Sequence, residues 1–337
     1  MRHWLPRLLI VASLVLHVIT VASYVRQPDM MAAFTVYPIW MWSILGLSLA
    51  AAAFLFWRAQ LSLLMIILWL LIALTQSDES HALSNLGNEI PEPGQRAPYQ
   101  IHQTEYPTIR ICTLNWGAIE LSSDDVRKQA KLIADFEPDI LFMQEVTEWH
   151  AGIIADIVYP RKGDFRITGR SAIMTRGQVG EIILNPMKHS QHATIKLDGQ
   201  AIDCVNFQLK SAITDMRMWQ PSCWKKHAAN RKTQRKQVNL SLTILKDGYS
   251  VPRRPVVAAG DFNAPASDPL HDLLRRNFID SFSEVGSGWA NTWHRRIPFQ
   301  RIDYIYTSPE LKPVRSCNVV IPASDHLMVV SDFILLR

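Results

Sequence analysis

The 337-residue chain lacks the signatures of several enzyme classes: it has no G-x-S-x-G turn, no Walker A loop and no H-E-x-x-H pair. A serine hydrolase built on a nucleophile elbow, a P-loop NTPase and a zincin are thereby excluded. Its four cysteines, Cys112, Cys204, Cys223 and Cys317, contain no C-x-x-C pair, which removes the usual zinc-binding spacing. Cys112 and Cys204 lie in apolar, strand-like runs that suit buried thiols. An extracytoplasmic domain would permit a disulfide, and Cys204–Cys223 is then the first choice.

Charge is scarcest in the first 76 residues, where only Arg2, Arg7, Arg26, Asp29 and Arg58 are charged. That block accounts for +3 of the formal net charge of +5, so the basic balance is weak evidence for nucleic-acid binding. Apolar runs predict membrane helices over about 8–25, 39–57 and 59–75, against the roughly 17–25 residues a span needs. Trp40, Trp42, Trp57 and Trp69 fall near the run ends, as interfacial aromatics do. Arg2, Arg7 and Arg58 place the N-terminus and the hairpin tip in the cytoplasm, with Arg26 dissenting beside Asp29, so three crossings leave the rest outside. Reading the first run as a cleaved signal, with small residues near Ala22, gives the same final topology.

Residues 77–107 carry Pro91, Pro93, Pro98 and Pro107 and read as an extended linker. From 108 to 337 short apolar strands alternate with a few helices, which predicts a mixed α/β sandwich. Strands are expected over 108–114, 139–143, 171–174, 193–197, 201–209, 256–259, 302–307 and 329–335, and helices over 123–136, 230–245 and 270–277. One basic segment holds Arg217, Lys225, Lys226, Arg231, Lys232, Arg235 and Lys236 with Trp219 and Trp224. It suits a solvated helix face or a surface for polyanions or anionic headgroups.

The polar residues Asn115, Glu145, Asp261, Asn263, Asp325 and His326 each follow or flank an apolar strand. Singly each suits a turn or a cap. Strand ends on one rim, however, are where a rigid scaffold gathers groups distant in sequence.

The segments IRICTLNWG, PDILFMQEV, AAGDFNAP, QRIDYIYTS and ASDHLMVVSDF resemble, in order and spacing, the endonuclease/exonuclease/phosphatase superfamily, and most of all its bacterial members with N-terminal transmembrane helices. The resemblance covers about 108–337 and implies a four-layered α/β sandwich behind three transmembrane helices. It implies a divalent-metal-dependent phosphoester hydrolase, with Glu145, Asn115 and Asp325 holding Mg²⁺ or Mn²⁺ through oxygen. Asp261 would position or deprotonate the attacking water, Asn263 would donate to the phosphate, and a cationic His326 would stabilise the transition state or protonate the leaving oxygen. Asp303 would hold the charge and orientation of His326.

One departure is Gln208, which stands where many members carry a second histidine. Glutamine can donate to a phosphate oxygen but cannot transfer a proton; His227 and His294 are the other histidines that could stand in. Asn230 and Arg231 suit a substrate contact, an anchor for the preceding loop, or a solvated face. Arg170 and Arg301 suit a phosphate contact or a brace for the rim. A membrane-anchored nuclease or phosphodiesterase is the leading expectation, a phospholipid or headgroup phosphoesterase the first alternative, and a non-catalytic binding module the second. The expected partners are nucleic acid or a lipid headgroup, and the bilayer; no protein partner is predicted. The expected location is the bacterial inner membrane, with the catalytic domain on the periplasmic side.

Overall fold

The structure, a computed structural model, describes residues 4–58, 60–94, 98–101, 104–117, 120–160, 163–184, 187, 189–211, 215–247 and 254–336. Ala59 of the expected third helix, and 95–97, 102 and 103 of the expected linker, lie outside the described residues. The apolar runs form α1 (Trp4–Arg26), α3 (Ile39–Phe56) and α4 (Gln60–Thr75), with a short helix α2 (Ala32–Thr35) between the first two. α1 and α3 are long and apolar enough to cross a membrane, whereas α4 has 16 residues, about 24 Å at 1.5 Å per residue. The segment after α4 is not the extended linker expected. Ser77 accepts a hydrogen bond from the Ser80 amide and caps α5 (Asp78–Ser84), and β1 (Tyr99–Ile101) pairs antiparallel with β2 (Thr104–Tyr106).

The remaining elements run β3 (Thr108–Asn115), α6 (Ser123–Ala134), β4 (Ile140–Gln144), α7 (Glu148–Val158), β5 (Asp164–Thr168), β6 (Ser171–Thr175), β7 (Gln178–Val179), β8 (Ile183–Leu184), β9 (Ser190–Leu197) and β10 (Gln200–Gln208). They continue with α8 (Pro221–Asp247), β11 (Val256–Asp261), α9 (Leu270–Arg275), β12 (Ile279–Asp280), α10 (Ser281–Val285), β13 (Asp303–Thr307), β14 (Leu311–Val320) and β15 (Leu327–Leu335). Among the described residues one sheet has the order β14-β15-β3-β4-β6-β5, and the other has β12-β13-β11-β10-β9-β7 with β8 also on β9.

The layers follow from which side chains meet. Ile111, Ile140, Phe142 and Ile173 of the first sheet pack against Ile195, Ile202, Val257 and Ile305 of the second, forming the inter-sheet core. The first sheet's outer face takes Val126, Ala130 and Ile133 of α6 and Ile154 of α7. The second sheet's outer face takes Val238 of α8 and Leu270 and Leu274 of α9. Helix, sheet, sheet and helix make the expected sandwich.

Several elements depart from the sequence pattern, and α7, β14 and α8 show why. α7 is capped by the Thr147 side chain, but its β-branched Ile153, Ile154, Ile157 and Val158 weaken the helical signal. β14 is an edge strand with a bulge between Pro313 and Arg315, where a missing N–H is tolerated. α8 starts at Pro221, nine residues before the expected Asn230, because proline suits a first turn. All four cysteines are buried and free, so Cys204–Cys223 does not pair.

Candidate active site

Register gathers the polar residues on one rim. Parallel pairing sets Gln208 beside Asp261, and antiparallel pairing sets Asp261 beside Asp303. Asn115 ends β3 opposite Gln144, the last residue of β4, so Glu145 emerges at the same level. His326 immediately precedes β15 and Arg170 immediately precedes β6. The residue before Asp261 must be glycine: a Cβ on Gly260 would lie 2.1 Å from the Phe207 carbonyl oxygen, and its φ is +135°. Glu145 and Asn263 hold φ of 54° and 50°, a region costly for a residue with a side chain, so the sheet ends are bent where the functional groups leave them.

These residues line a cleft of about 540 Å³ that includes Asn115, Glu145, Gln208, Asp261, Asn263 and His326. Asn115 Nδ2 donates to Asp261 Oδ2 at 2.9 Å and to Glu145 Oε1 at 3.3 Å, bridging the sheets. Asn263 steadies the same carboxylate, its Nδ2 donating to Asp261 Oδ2 at 2.8 Å and its backbone N–H to Oδ1 at 2.8 Å. On the far side His326 Nδ1 lies 2.9 Å from Asp303 Oδ2, which turns Nε2 outward. Asp325 accepts from Trp293 Nε1 at 3.1 Å. Below the cleft, Gln144 Nε2 donates to Asn206 Oδ1 at 2.7 Å, and Asn206 Nδ2 donates to the Met143 and Ala172 carbonyls, both at 3.0 Å. Both amides are fully buried, so a polar pin fixes one sheet against the other under the site.

The electrostatics set an acid against a base. Burial lowers the His326 imidazole, but the facing charge and hydrogen bond of Asp303 outweigh it and raise His326 to about 10. Burial first, and then the Asp303 charge, push Asp261 up to about 7 against the pull of His326. The site therefore holds an imidazolium beside a carboxyl that titrates near neutrality.

The remaining expected residues divide between the cleft and its scaffold. Arg231 is buried away from the cleft, its Nε 2.8 Å from Asp268 Oδ2 and its Nη2 donating to Thr35 Oγ1 at 2.6 Å. Asn230 donates to the Ser211 carbonyl at 3.0 Å, which anchors the preceding loop. Arg301 pairs with Asp280 and braces the rim. Arg170 lines the cleft and donates to the Glu145 carbonyl at 3.3 Å. Asn263 Nδ2 also donates to the Leu209 carbonyl at 3.0 Å, so its amide hydrogens serve the protein instead of pointing at a phosphate. His227 is buried and bonded to the Asp215 carbonyl, and His294 lies outside the cleft lining. The second histidine lining it, beside His326, is His189, its Nδ1 3.2 Å from the Gln208 carbonyl oxygen; a turn position among polar residues gave no signal for it. Five of the seven charged residues of the basic segment pair with three carboxylates, Arg217 and Lys226 with Asp215, Arg231 with Asp268, and Arg235 and Lys232 with Asp29, so the segment stays net basic.

Two seats for a cation can be compared. Asp261, Asp303 and His326 offer ligand atoms within 4.8 Å of one another, but Asp303 Oδ2 already pairs with His326 Nδ1, which leaves the buried Asp303 Oδ1 as its open oxygen. Glu145 fits better: its carboxylate faces the cleft, meets the Asn115 amide, and has no cationic side-chain partner among the described residues. A carboxylate oxygen is the hard donor that Mg²⁺ takes, whereas Asn115 Oδ1 accepts from the Gly117 N–H at 2.9 Å and its Nδ2 faces the carboxylates.

Comparison with known proteins identifies the family and the fold. The model of the Endonuclease/Exonuclease/phosphatase family matches residues 117–326, more than half of the chain. Among solved structures, a D. rerio TDP2 humanized by 14 mutations has a TM-score of 0.53 at 20% identity, covering 67% of this chain and 98% of that one. D. rerio TDP2 complexed with a single-strand DNA product gives 0.53 at 19%, covering 67% and 98%. The endonuclease/exonuclease/phosphatase from Bacteroides vulgatus gives 0.53 at 18%, covering 68% and 99%. These likenesses carry the fold. No curated protein matches.

Proposed function

Because this chain belongs to the endonuclease/exonuclease/phosphatase family, we propose that it is a divalent-metal-dependent phosphoester hydrolase, integral to a membrane, with its catalytic domain on the extracytoplasmic side. The observation that carries the reading is the meeting of the Asn115–Asp261–Asn263 cluster and the His326–Asp303 pair in one cleft. Glu145, Asn115 and Asp325 would hold Mg²⁺, for which Mn²⁺ could substitute; Asn115 would do so through the Oδ1 that accepts from the Gly117 N–H. The bound ion supplies positive charge to the phosphoryl oxygens as negative charge builds there. Asp261 orients the attacking water and takes its proton. His326, held by Asp303, donates from Nε2 to the leaving oxygen. Gln208 accepts from Ser171 Oγ at 3.2 Å through Oε1, so its amide end is the donor suited to a phosphate oxygen. Arg170 adds charge at the cleft wall.

The membrane reading has its own support. The outward faces of α1, α3 and α4 expose Leu8, Val15, Val18, Ile44, Leu45 and Leu71, a contiguous apolar surface that water would not tolerate. The Arg7 guanidinium sits over the Trp57 ring at 5.4 Å, so the basic ends of α1 and the α3–α4 hairpin share one side, in keeping with a cytoplasmic position. Trp40 Nε1 donates to Glu79 at 2.8 Å, so α4 returns the chain to the opposite side despite its length. Two substrate classes fit the family chemistry. The D. rerio TDP2 complex with a single-strand DNA product favours nucleic acid; the anchor favours a lipid headgroup.

The test uses the full chain in detergent with bis(p-nitrophenyl) phosphate. Hydrolysis is expected with Mg²⁺, is expected to vanish on chelation and return with added Mg²⁺, and is expected to fall at least about 100-fold in Asp261→Asn, the telling variant since p-nitrophenolate departs without the proton that His326 would supply. Unchanged turnover in Asp261→Asn, or no turnover with any divalent ion, would refute the reading.

A further inference from the structure

The segment joining α1 to α3, residues 27–38, does not merely connect two membrane helices. Ala32, Ala33, Phe34 and Val36 are buried, and the segment is clamped to the globular domain along its length. Asp29 takes a bidentate pair from Arg235, at 2.6 and 2.8 Å. Thr35 Oγ1 accepts from Arg231, which is itself held by Asp268. Gln27 donates to the Ser267 carbonyl, and Gln300 donates to the Val36 carbonyl. Gln300 and Val36 both line the catalytic cleft.

Val36 therefore has two neighbours at once. On one side is the phosphoester site; three residues further along the chain is Ile39, where α3 begins. Three residues reach at most about 11 Å even when extended, and the polar layer outside the hydrocarbon is about 5–7 Å thick on each side. The wall of the cleft consequently stands within about 11 Å of the start of α3, in or just outside the headgroup region of the bilayer. Nearby turns expose large apolar side chains that need no partner within the chain. Trp219, in the turn leading into α8, is 78% exposed, and Ile297, between the cleft residues Trp293 and Gln300, is 76% exposed. Of the basic residues in and before α8, Arg217, Arg231 and Arg235 are paired with Asp215, Asp268 and Asp29.

Resting on the hydrolase reading above, we propose that residues 27–38 form a wall of the substrate site that holds the cleft against the bilayer surface, and that the substrate is the phosphoester headgroup of a lipid in the same membrane. Val36 is then a specificity-determining residue, contacting the glycerol or sphingoid side of the ester. In the reaction the water oxygen bonds to phosphorus and one P–O bond breaks. The water's proton passes to Asp261 and the leaving oxygen takes one from His326. Solvent returns both side chains to their starting states, so one water is consumed per ester. Tethering raises the effective concentration of such a substrate without new contacts.

The experiment uses the full chain in nanodiscs of mixed zwitterionic and anionic phospholipid with Mg²⁺, beside a single-stranded DNA oligonucleotide and bis(p-nitrophenyl) phosphate as soluble substrates. Release of headgroup, phosphorylated headgroup or free phosphate is expected to exceed DNA cleavage at least tenfold at matched ester concentration. Val36→Trp is expected to lower kcat/KM for lipid at least tenfold, through KM more than kcat, and Val36→Ile to retain it. An environment-sensitive dye on Ile297→Cys is expected to emit to the blue of its signal in water and to be quenched by doxyl lipid. Hydrolysis of the soluble ester together with cleavage of DNA and none of lipid would overturn the inference and leave the hydrolase reading intact. A water-like, unquenched dye would overturn the placement of the cleft, whatever the turnover. Inactivity on all three substrates would remove the hydrolase reading itself.

Discussion

At the scale of single residues the site turns on how Asp303 holds His326. Replacing the carboxylate by an amide in Asp303→Asn keeps the shape and removes the charge that lifts the imidazole. The pH profile of kcat/KM in the wild type is expected to show an alkaline limb near the His326 value of about 10 and an acidic limb set by Asp261. In Asp303→Asn the alkaline limb is expected to move down toward the ordinary histidine range, about 6.5, and a limb that stays in place would count against the pairing. The same shift has a stability consequence with a definite sign. His326 is raised on folding, so its contribution is complete below about pH 6.5 and is lost as pH climbs through about 10. Asp261, Asp303, Glu145 and His326 were legible because each sits in a short motif at a strand end. His189 was not, since no strand pattern marks it and only the pairing of Gln208 N–H with the His189 carbonyl brings it to the cleft. Arg231 misled because a basic residue on a helix looks solvated until its buried partner, 37 positions away, is known.

At the scale of elements, two devices keep the rims in register. The first is Gly260, whose missing Cβ lets β11 lie close against β10. Gly260→Ala is expected to destabilise the domain by more than about 3 kcal/mol and to displace Asp261, measured as a lowered denaturation midpoint with activity lost in parallel. Wild-type stability in that variant would mean the strands can separate without cost. The second is the Gln144–Asn206 pin between the sheets. Asn206→Ala leaves one Gln144 amide hydrogen without its acceptor, the other still reaching Thr113 Oγ1 at 3.2 Å, and such a buried unmet group costs about 1–3 kcal/mol. For a domain of this size a fall in Tm of roughly 2–12 °C is expected, and a change under 1 °C would show that the pin bears no load. Strands β3, β4, β11 and β15 could be read from alternation and composition. The pin could not, because an asparagine inside CVNFQLK looks like a flaw in a strand until its partner on the other sheet is seen. β14 was hidden by Pro313 and its charged neighbours, which belong on an edge.

At the scale of the whole molecule, the sandwich was readable because five ordered motifs fix its connectivity, and the helices because uncharged runs of that length leave few alternatives. The docking of 27–38 on α8 was not readable, since it rests on pairs such as Asp29–Arg235 and Thr35–Arg231 that lie about 200 residues apart. Breaking one of those clamps separates a tethering role from a structural one. In Asp29→Ala, protease accessibility of residues 27–38 is expected to rise, while the denaturation midpoint of the catalytic domain shifts by less than about 1 kcal/mol, as for a partly exposed pair; unchanged accessibility would mean the segment is held by other contacts. The central claim is that the rims of two sheets make one seat for a hard cation beside the Asp261–His326 pair. The most direct measurement is the position of Mn²⁺ by anomalous scattering in crystals of the full chain. The expected result is a single peak about 2.0–2.2 Å from a Glu145 carboxylate oxygen, with His326 still bonded to Asp303. A peak between Asp261, Asp303 and His326, or none in the cleft at saturating Mn²⁺, would contradict it.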